Sequence, residues 1–230
     1  MDIYHTDSYI AVTFLRPLRT LSSAVFGGGY GDYDTIINIK TDVETLRETG
    51  PDRLITDFFR QKFPGRKSIG LLTSAKMDHA QFILSVEKDI KVFAVVTAGT
   101  SNALNIAERS ETNFSGAEIP VGTINIIVVT DGYLLEECMV STAISATEAK
   151  TAALIDLGIK STVTGNQATG TGTDSIVIAS GKGIKLRYAG GHTQFGQMVG
   201  ETVYTAVKRS LLKRRSDPTQ LRAIVSSFDF

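Results

Sequence analysis

The sequence predicts an α/β (α+β) protein with a layered β-sheet core and long helices packed outside it. Three observations predict this. Apolar, β-branched runs at 91–97 and 123–130 read as buried strands, and both end in small or polar residues. Between 134 and 157, Leu135, Cys138, Met139, Thr142, Ala146, Ala149 and Ala153 recur at spacings of three and four, a helical stripe whose small side chains suit close packing on a sheet. The stretch 123–180 then strings together strand, helix, a loop dense in Gly and Thr, and a second strand that follows Asp174. Polar groups gathered at strand ends and in such a loop are where an α/β fold keeps its chemistry.

Taken in order, residues 8–16 read as a strand that Pro17 limits. Gly27, Gly28, Gly29 and Gly31 around Tyr30 permit close approach to a ligand, and equally a flexible hairpin turn. The chain returns as a strand at 34–40, and Asp42 caps a short helix. Pro51 opens a clearer helix over 51–63, with Leu54, Ile55, Phe58 and Phe59 at helical spacing, and Pro64-Gly65 stops it. Residues 68–72 are a strand, whereas 77–84 fit helix and strand equally. The strand at 91–97 runs into Ala98–Ala103, where small residues let backbone N–H groups face a ligand and Asn102 offers donor and acceptor; a tight turn is the alternative. Residues 105–118 are a polar surface connection.

Asp131-Gly132 ends the strand at 123–130. Glu136 and Glu137 suit the first turn of the long helix, and Gly158 the position just past its last. A strand covers 175–179, and Gly181-Lys182-Gly183 turns the chain so that 184–188 pairs back. Gly190-Gly191-His192-Thr193 precedes the final long helix, 194–214. Asp217 begins a tail whose Phe228 and Phe230 dock or fray. No repeat or low-complexity linker divides residues 1–230, so one domain is expected.

Lys plus Arg and Asp plus Glu both number 24, so no broad field attracts nucleic acid or an anionic membrane. The basic run Lys208-Arg209 and Lys213-Arg214-Arg215 reads as a solvated helix end. The single cysteine, Cys138, cannot form an internal disulfide, which favours a reducing, cytoplasmic setting; its apolar neighbours mark it as a buried, inert thiol. The N-terminal residues lack the pattern of a signal peptide, and no apolar run is long enough to cross a membrane. The composition is compatible with a homo-oligomer and does not set the state.

The Gly/Thr loop invites comparison with a phosphate loop. Gly165 and Gly170 have that spacing, but Thr171-Gly172 stands where Lys-Ser/Thr is required, and a strand follows rather than a helix. Acyl chemistry fits better. Thr171 and Thr173 supply hydroxyls, Gly170 and Gly172 leave N–H groups accessible to an oxyanion, and Asp174 follows at once. His192 is the candidate base, since imidazole titrates near neutrality and this one lies in a Gly-flanked turn; a helix cap or an ordinary surface residue is the alternative. His5 and His79 read as structural or surface residues. Glu148 and Lys150 are two apart on a helix, so one faces the site and the other solvent, and either can tune or replace the base. Asp131, Glu148, Asp174 and His192 are the candidate metal ligands, but without HExxH or a Cys/His cluster no metal is expected.

Six segments carry a resemblance: LSSAVFGGGY at 21–30, VTAGTSNA at 96–103, GTINIIVVTDGYL at 122–134, STAISATEAKTAAL at 141–154, ATGTGTDSIVIA at 168–179 and YAGGHTQFGQMVGETVYTAV at 188–207. Singly they are weak; in this order across most of the chain, the set resembles the adenosylcobinamide amidohydrolase family. The resemblance implies hydrolysis of the amide joining the corrin propionyl side chain to aminopropanol in adenosylcobinamide, giving adenosylcobyric acid in corrinoid salvage. It implies no required cofactor, because the cobalt arrives inside the substrate. Thr171 or Thr173 would then attack or position a water, and His192 with Asp174 or Glu148 would handle protons. Gly99, Ser101, Asn102, Gly170 and Gly172 would bind the carbonyl oxygen, with Gly28, Gly29 and Asp131 also on the substrate side. A fainter resemblance, to the β-peptidyl aminopeptidase (DmpA-type) family, rests on the strand, helix and TGTGTDSIVIAS order. It implies an αββα sandwich, similar to the ornithine acetyltransferase-like fold, with Thr171 or Thr173 as nucleophile. That family exposes its nucleophile by self-cleavage after glycine; in an uncut chain a side chain must serve as base.

Overall fold

A computed structural model describes residues 1–108, 122–216 and 218–228. The readings for 109–118, Asp217 and Phe230 therefore lie outside the described residues.

Two long strands organise the first half. After β1 (Asp2–His5), β2 (Tyr9–Ser22) and β3 (Gly29–Lys40) pair in two stretches, Tyr9–Thr13 with Thr35–Ile39 and Leu18–Ser22 with Gly29–Tyr33. Their register shifts between Thr13 and Leu18. Pro17 does not end the strand: it falls in this irregular stretch, where the ladder does not need its missing N–H. Gly29 and Gly31 are already part of β3, paired with Ser22 and Thr20, so the glycine-rich segment is mostly hairpin. Asp42 caps α1 (Val43–Thr49), accepting from Thr45 N at 2.8 Å. There follow α2 (Pro51–Lys62) and β4 (Ser68–Thr73). The ambiguous stretch 77–84 divides into a 3₁₀ turn (Met77–His79) and the start of β5 (Gln81–Glu87).

The second half begins with β6 (Ile90–Ala98) and a two-residue strand β7 (Ala103–Leu104). Then come β8 (Ile124–Thr130), β9 (Tyr133–Leu134), α3 (Glu136–Asp156), β10 (Gly170–Thr171), β11 (Ser175–Ser180), β12 (Lys185–Leu186), α4 (Gln194–Leu211) and α5 (Pro218–Ser227). The expected return of 184–188 onto β11 does not occur. Gly181 and Gly183 instead donate to Thr130 O and Asp131 O, which carries the chain across so that β12 pairs parallel with β9. Phe228 docks, its ring 6.3 Å from that of Phe93.

The sheet order is β4-β3-β2-β11-β8-β6-β5, with β1 on the free side of β2. Before its irregularity β2 pairs with β1; after it, with β11. The sheet folds over on itself there. Ile10, Val12, Ile36, Ile69 and Leu71 of one half thereby pack against Phe93, Val95, Ile127, Val129 and Val177 of the other. A second core lies between the outer face of β11-β8-β6 and helices α3 and α4, where Ala146, Ala149 and Ala153 meet Val203 and Val207. In a third, Ala11, Ile37 and Ile39 meet Ile55 and Phe59 of α2. Three cores between successive layers make the expected αββα arrangement.

Helix α4 enters tightly. Thr193 caps it, accepting from Gly196 N at 3.0 Å. A Cβ on Gly196 would lie 2.2 Å from Gly190 O and 2.3 Å from Ala189 O, so backbone would have to shift. Gly196→Ala is expected to lose about 1–3 kcal/mol in urea unfolding at unchanged m-value.

Candidate active site

Strand directions decide which polar ends meet. Strands β8 and β11 run parallel, and β6 runs antiparallel to β8. The start of β8, the start of β11 and the end of β6 therefore share one edge. The segments 99–102, 122–124 and 170–174 converge there, as the Gly/Thr-loop reading anticipates.

Asp174 is the hub. Its Oδ1 accepts from the Thr171 hydroxyl and from Ile124 N at 3.0 Å. Its Oδ2 accepts from Thr171 N at 3.0 Å and from Lys150 Nζ at 2.5 Å. Lys150 comes from the buried face of α3, with 8% of its side chain exposed against 15% for Asp174, so the pair is largely shielded from water. Glu148, rotated about 200° around the same helix, is exposed. Of the two charges read from the sequence, Lys150 is the one aimed at the site.

Gly170 makes room for this contact. A Cβ there would fall 2.6 Å from Asp174 Oδ2 and 2.8 Å from Lys150 Nζ. Thr171 is buried, whereas Gly172 and Thr173 are exposed. Thr173 donates its hydroxyl to Gly122 O at 2.9 Å. Asn102 is buried; its Nδ2 lies 3.9 Å from where a Cβ on Gly172 would be, and its Oδ1 has no partner among the described residues. Gly122 closes the cluster, since a Cβ there would be 2.4 Å from Asn102 Oδ1 and 2.8 Å from Ser101 Oγ. Gly99 donates to Thr123 O at 2.9 Å. The sequence reading missed Gly122. It put Glu148 rather than Lys150 among the expected catalytic residues, although a lysine beside the Ala146, Ala149 and Ala153 stripe was the available signal.

Asp131 and His192, like the exposed Glu148, lie apart. Asp131 follows the far end of β8, seven positions beyond Ile124 and roughly 20 Å away along the strand. There Asp131 receives Lys91 N at 2.8 Å and fixes the start of β6. His192 lies at the same far edge, exposed, just before α4. The direction of α4 is fixed at both ends: Gln194 donates to Glu87 at the β5–β6 turn, and Ser210 Oγ receives Ala98 N near the cluster. The expected base therefore does not reach Thr171. Gly28 and Gly29 belong to a connection that Ser23 N on Ile176 O ties beside the start of β11, on the edge that carries Asp174, and that the Phe26–Gly70 bridge holds on its other side. Asp131, Glu148, Asp174 and His192 do not converge, and no group of three His, Cys, Asp or Glu does so among the described residues.

Cys138 is fully buried beneath α4, and burial pushes its thiol up to about 11, as expected of an inert packing residue. A groove of about 810 Å³ on the α1–α2 side, lined by Lys40, Asp42, Phe58 and Arg60, shares no residue with the cluster. Among the described residues no helix is long and apolar enough to cross a membrane.

The arrangement suits acyl transfer: a threonine hydroxyl on a carboxylate, a buried ammonium behind it, and amide donors alongside. Comparisons with known proteins find relatives in sequence and in structure. The chain is 36% identical over 165 residues to an uncharacterised protein of Methanocaldococcus jannaschii, covering 65% of each, just under two thirds of that protein's length. It is 31% identical over 199 residues to the adenosylcobinamide amidohydrolase of Methanosarcina mazei, covering 82% of this chain and 88% of that one. The L-aminopeptidase D-Ala-esterase/amidase of Ochrobactrum anthropi overlays 98% of this chain and 90% of its own, with a TM-score of 0.44 and 13% identity. Residues 1–219 match the family described as adenosylcobinamide amidohydrolase, and with that match the chain belongs to the adenosylcobinamide amidohydrolase family, a family of amide-hydrolysing enzymes.

Proposed function

We propose that this protein hydrolyses the amide between the corrin propionyl side chain and aminopropanol of adenosylcobinamide, giving adenosylcobyric acid in cytoplasmic corrinoid salvage. The observation that carries the proposal is the Thr171–Asp174–Lys150 group at the meeting of three strand ends, in a chain of this family.

Thr171 Oγ attacks the amide carbon, and its proton passes to the Asp174–Lys150 pair. Asn102 Nδ2 and the N–H groups around Gly172 hold the oxyanion. The C–N bond breaks as the pair returns the proton to the departing amine, so aminopropanol leaves neutral and the corrin acyl group rests on Thr171. Water then attacks the ester, gives a proton to the pair, and releases adenosylcobyric acid and the free Thr171 hydroxyl. Protons balance across the two steps. The cobalt belongs to the substrate, and no further cofactor takes part.

Purified protein with adenosylcobinamide is expected to form adenosylcobyric acid and aminopropanol in equal amounts, resolved by chromatography. Corrinoid bound but recovered unchanged would make the protein a carrier. Faster turnover of small peptides in the same assay would move the substrate class.

A further inference from the structure

The site is laced to the interior by groups that touch none of the reacting atoms. Thr123 is buried, and its hydroxyl donates to Thr173 O at 2.8 Å. That carbonyl belongs to the peptide linking Thr173 to Asp174, so holding it fixes the backbone from which the carboxylate projects. The same single proton is shared in a longer, bifurcated bond with Asn125 Oδ1 at 3.3 Å, which ties Thr123 to that amide. Asn125 Nδ2 spends both hydrogens on the facing half of the sheet, to Leu72 O at 2.8 Å and Asn38 Oδ1 at 2.9 Å. Asn38 Nδ2 returns to Thr97 Oγ1 at 2.8 Å.

Asn38, Thr97 and Asn125 are each 1% exposed, beside a core of apolar side chains between the two sheet halves. Apolar residues would fill such a space without the need to pair every polar atom. The polar chain sits at the end of the sandwich that carries the site, and it continues through Thr123 into the loop that carries Asp174.

We propose that Thr123 is a positioning residue for Asp174, held by the Asn38–Thr97–Asn125 network, so that the second sheet half sets the geometry of a site to which it gives no reacting group. The inference rests on the catalytic reading of Thr171, Asp174 and Lys150.

The test compares Thr123→Val, which keeps the shape and removes the hydroxyl, with Thr123→Ser, which restores it. Thr142→Val is the control, a buried threonine in α3 whose hydroxyl donates to Cys138 O, away from the cluster. With adenosylcobinamide, T123V is expected to lose roughly 100-fold in kcat while KM moves by less than about threefold. T123S keeps most of the rate, and T142V keeps it whatever its effect on melting. Native-state hydrogen exchange reads the geometry without any substrate: in T123V the Ile124 and Thr171 amides, both donors to Asp174, lose protection that T142V retains. Unchanged protection of both amides in T123V, or equal kcat losses in T123V and T142V, would overturn the proposal. If the wild-type protein leaves adenosylcobinamide untouched, the functional reading falls, and exchange alone decides the positioning role.

Discussion

Replacing Lys150 by Met is expected to abolish turnover and to cost about 3–5 kcal/mol of stability, because it leaves the Asp174 carboxylate charged, shielded from water and without its cation. The two effects are separable. In the double variant K150M/D174N the unpaired charge is gone, so most of the lost stability returns in urea unfolding, while turnover stays absent. E148Q changes neither quantity, since that side chain is exposed on the other side of α3. A K150M protein with more than a tenth of wild-type kcat would remove Lys150 from the chemistry.

Thr171 carries the second large effect. Its buried hydroxyl donates to Asp174 Oδ1, whereas the exposed Thr173 spends its hydroxyl on Gly122 O. T171V is therefore expected to lose roughly 10³-fold or more in kcat, the scale seen when a nucleophile is removed. T171S retains measurable turnover, and T173V stays within about tenfold of wild type, as loss of a supporting hydrogen bond should. T173V falling as far as T171V, or T171V keeping its rate, would move the attacking group.

Much of the site was legible because its parts are local in sequence. Thr171, Thr173 and Asp174 lie within four residues, and Gly170 and Gly172 mark where backbone and side chains approach closely. Asn102 was legible as a polar group at the end of a buried strand. Asp131 and His192 misled for a single reason: whether two strand ends meet depends on pairing direction, which no local pattern encodes. Parallel β8 and β11 put Asp131 one strand length from Asp174, and α4, tied by Gln194 to Glu87, begins at that same far edge and keeps His192 there. Glu148 was expected in the catalytic set in place of Lys150 because two positions on a helix face opposite ways, and only the packing of α3 on the sheet says which faces in. Pro17 was read as a stop because strands rarely hold proline; the register shift that accommodates it appears only when β3 and β11 are in place. The pairing of β12 with β9 rather than β11 has the same origin, two backbone bonds from Gly181 and Gly183 to residues 50 and more positions earlier.

The four layers followed from strand and helix patterning together with a family likeness, and the three separate cores bear them out. The inter-sheet amides were not anticipated, since Asn38, Thr97 and Asn125 look in sequence like single polar residues within apolar strands.

Hydrolysis of adenosylcobinamide in ¹⁸O-labelled water tests the central claim most directly. The account predicts that the corrinoid product gains one solvent oxygen in its new carboxyl group, with an equal amount of aminopropanol released, and that T171V and K150M yield neither. Recovery of adenosylcobinamide unlabelled and intact, or labelled product at full rate from T171V, would contradict it.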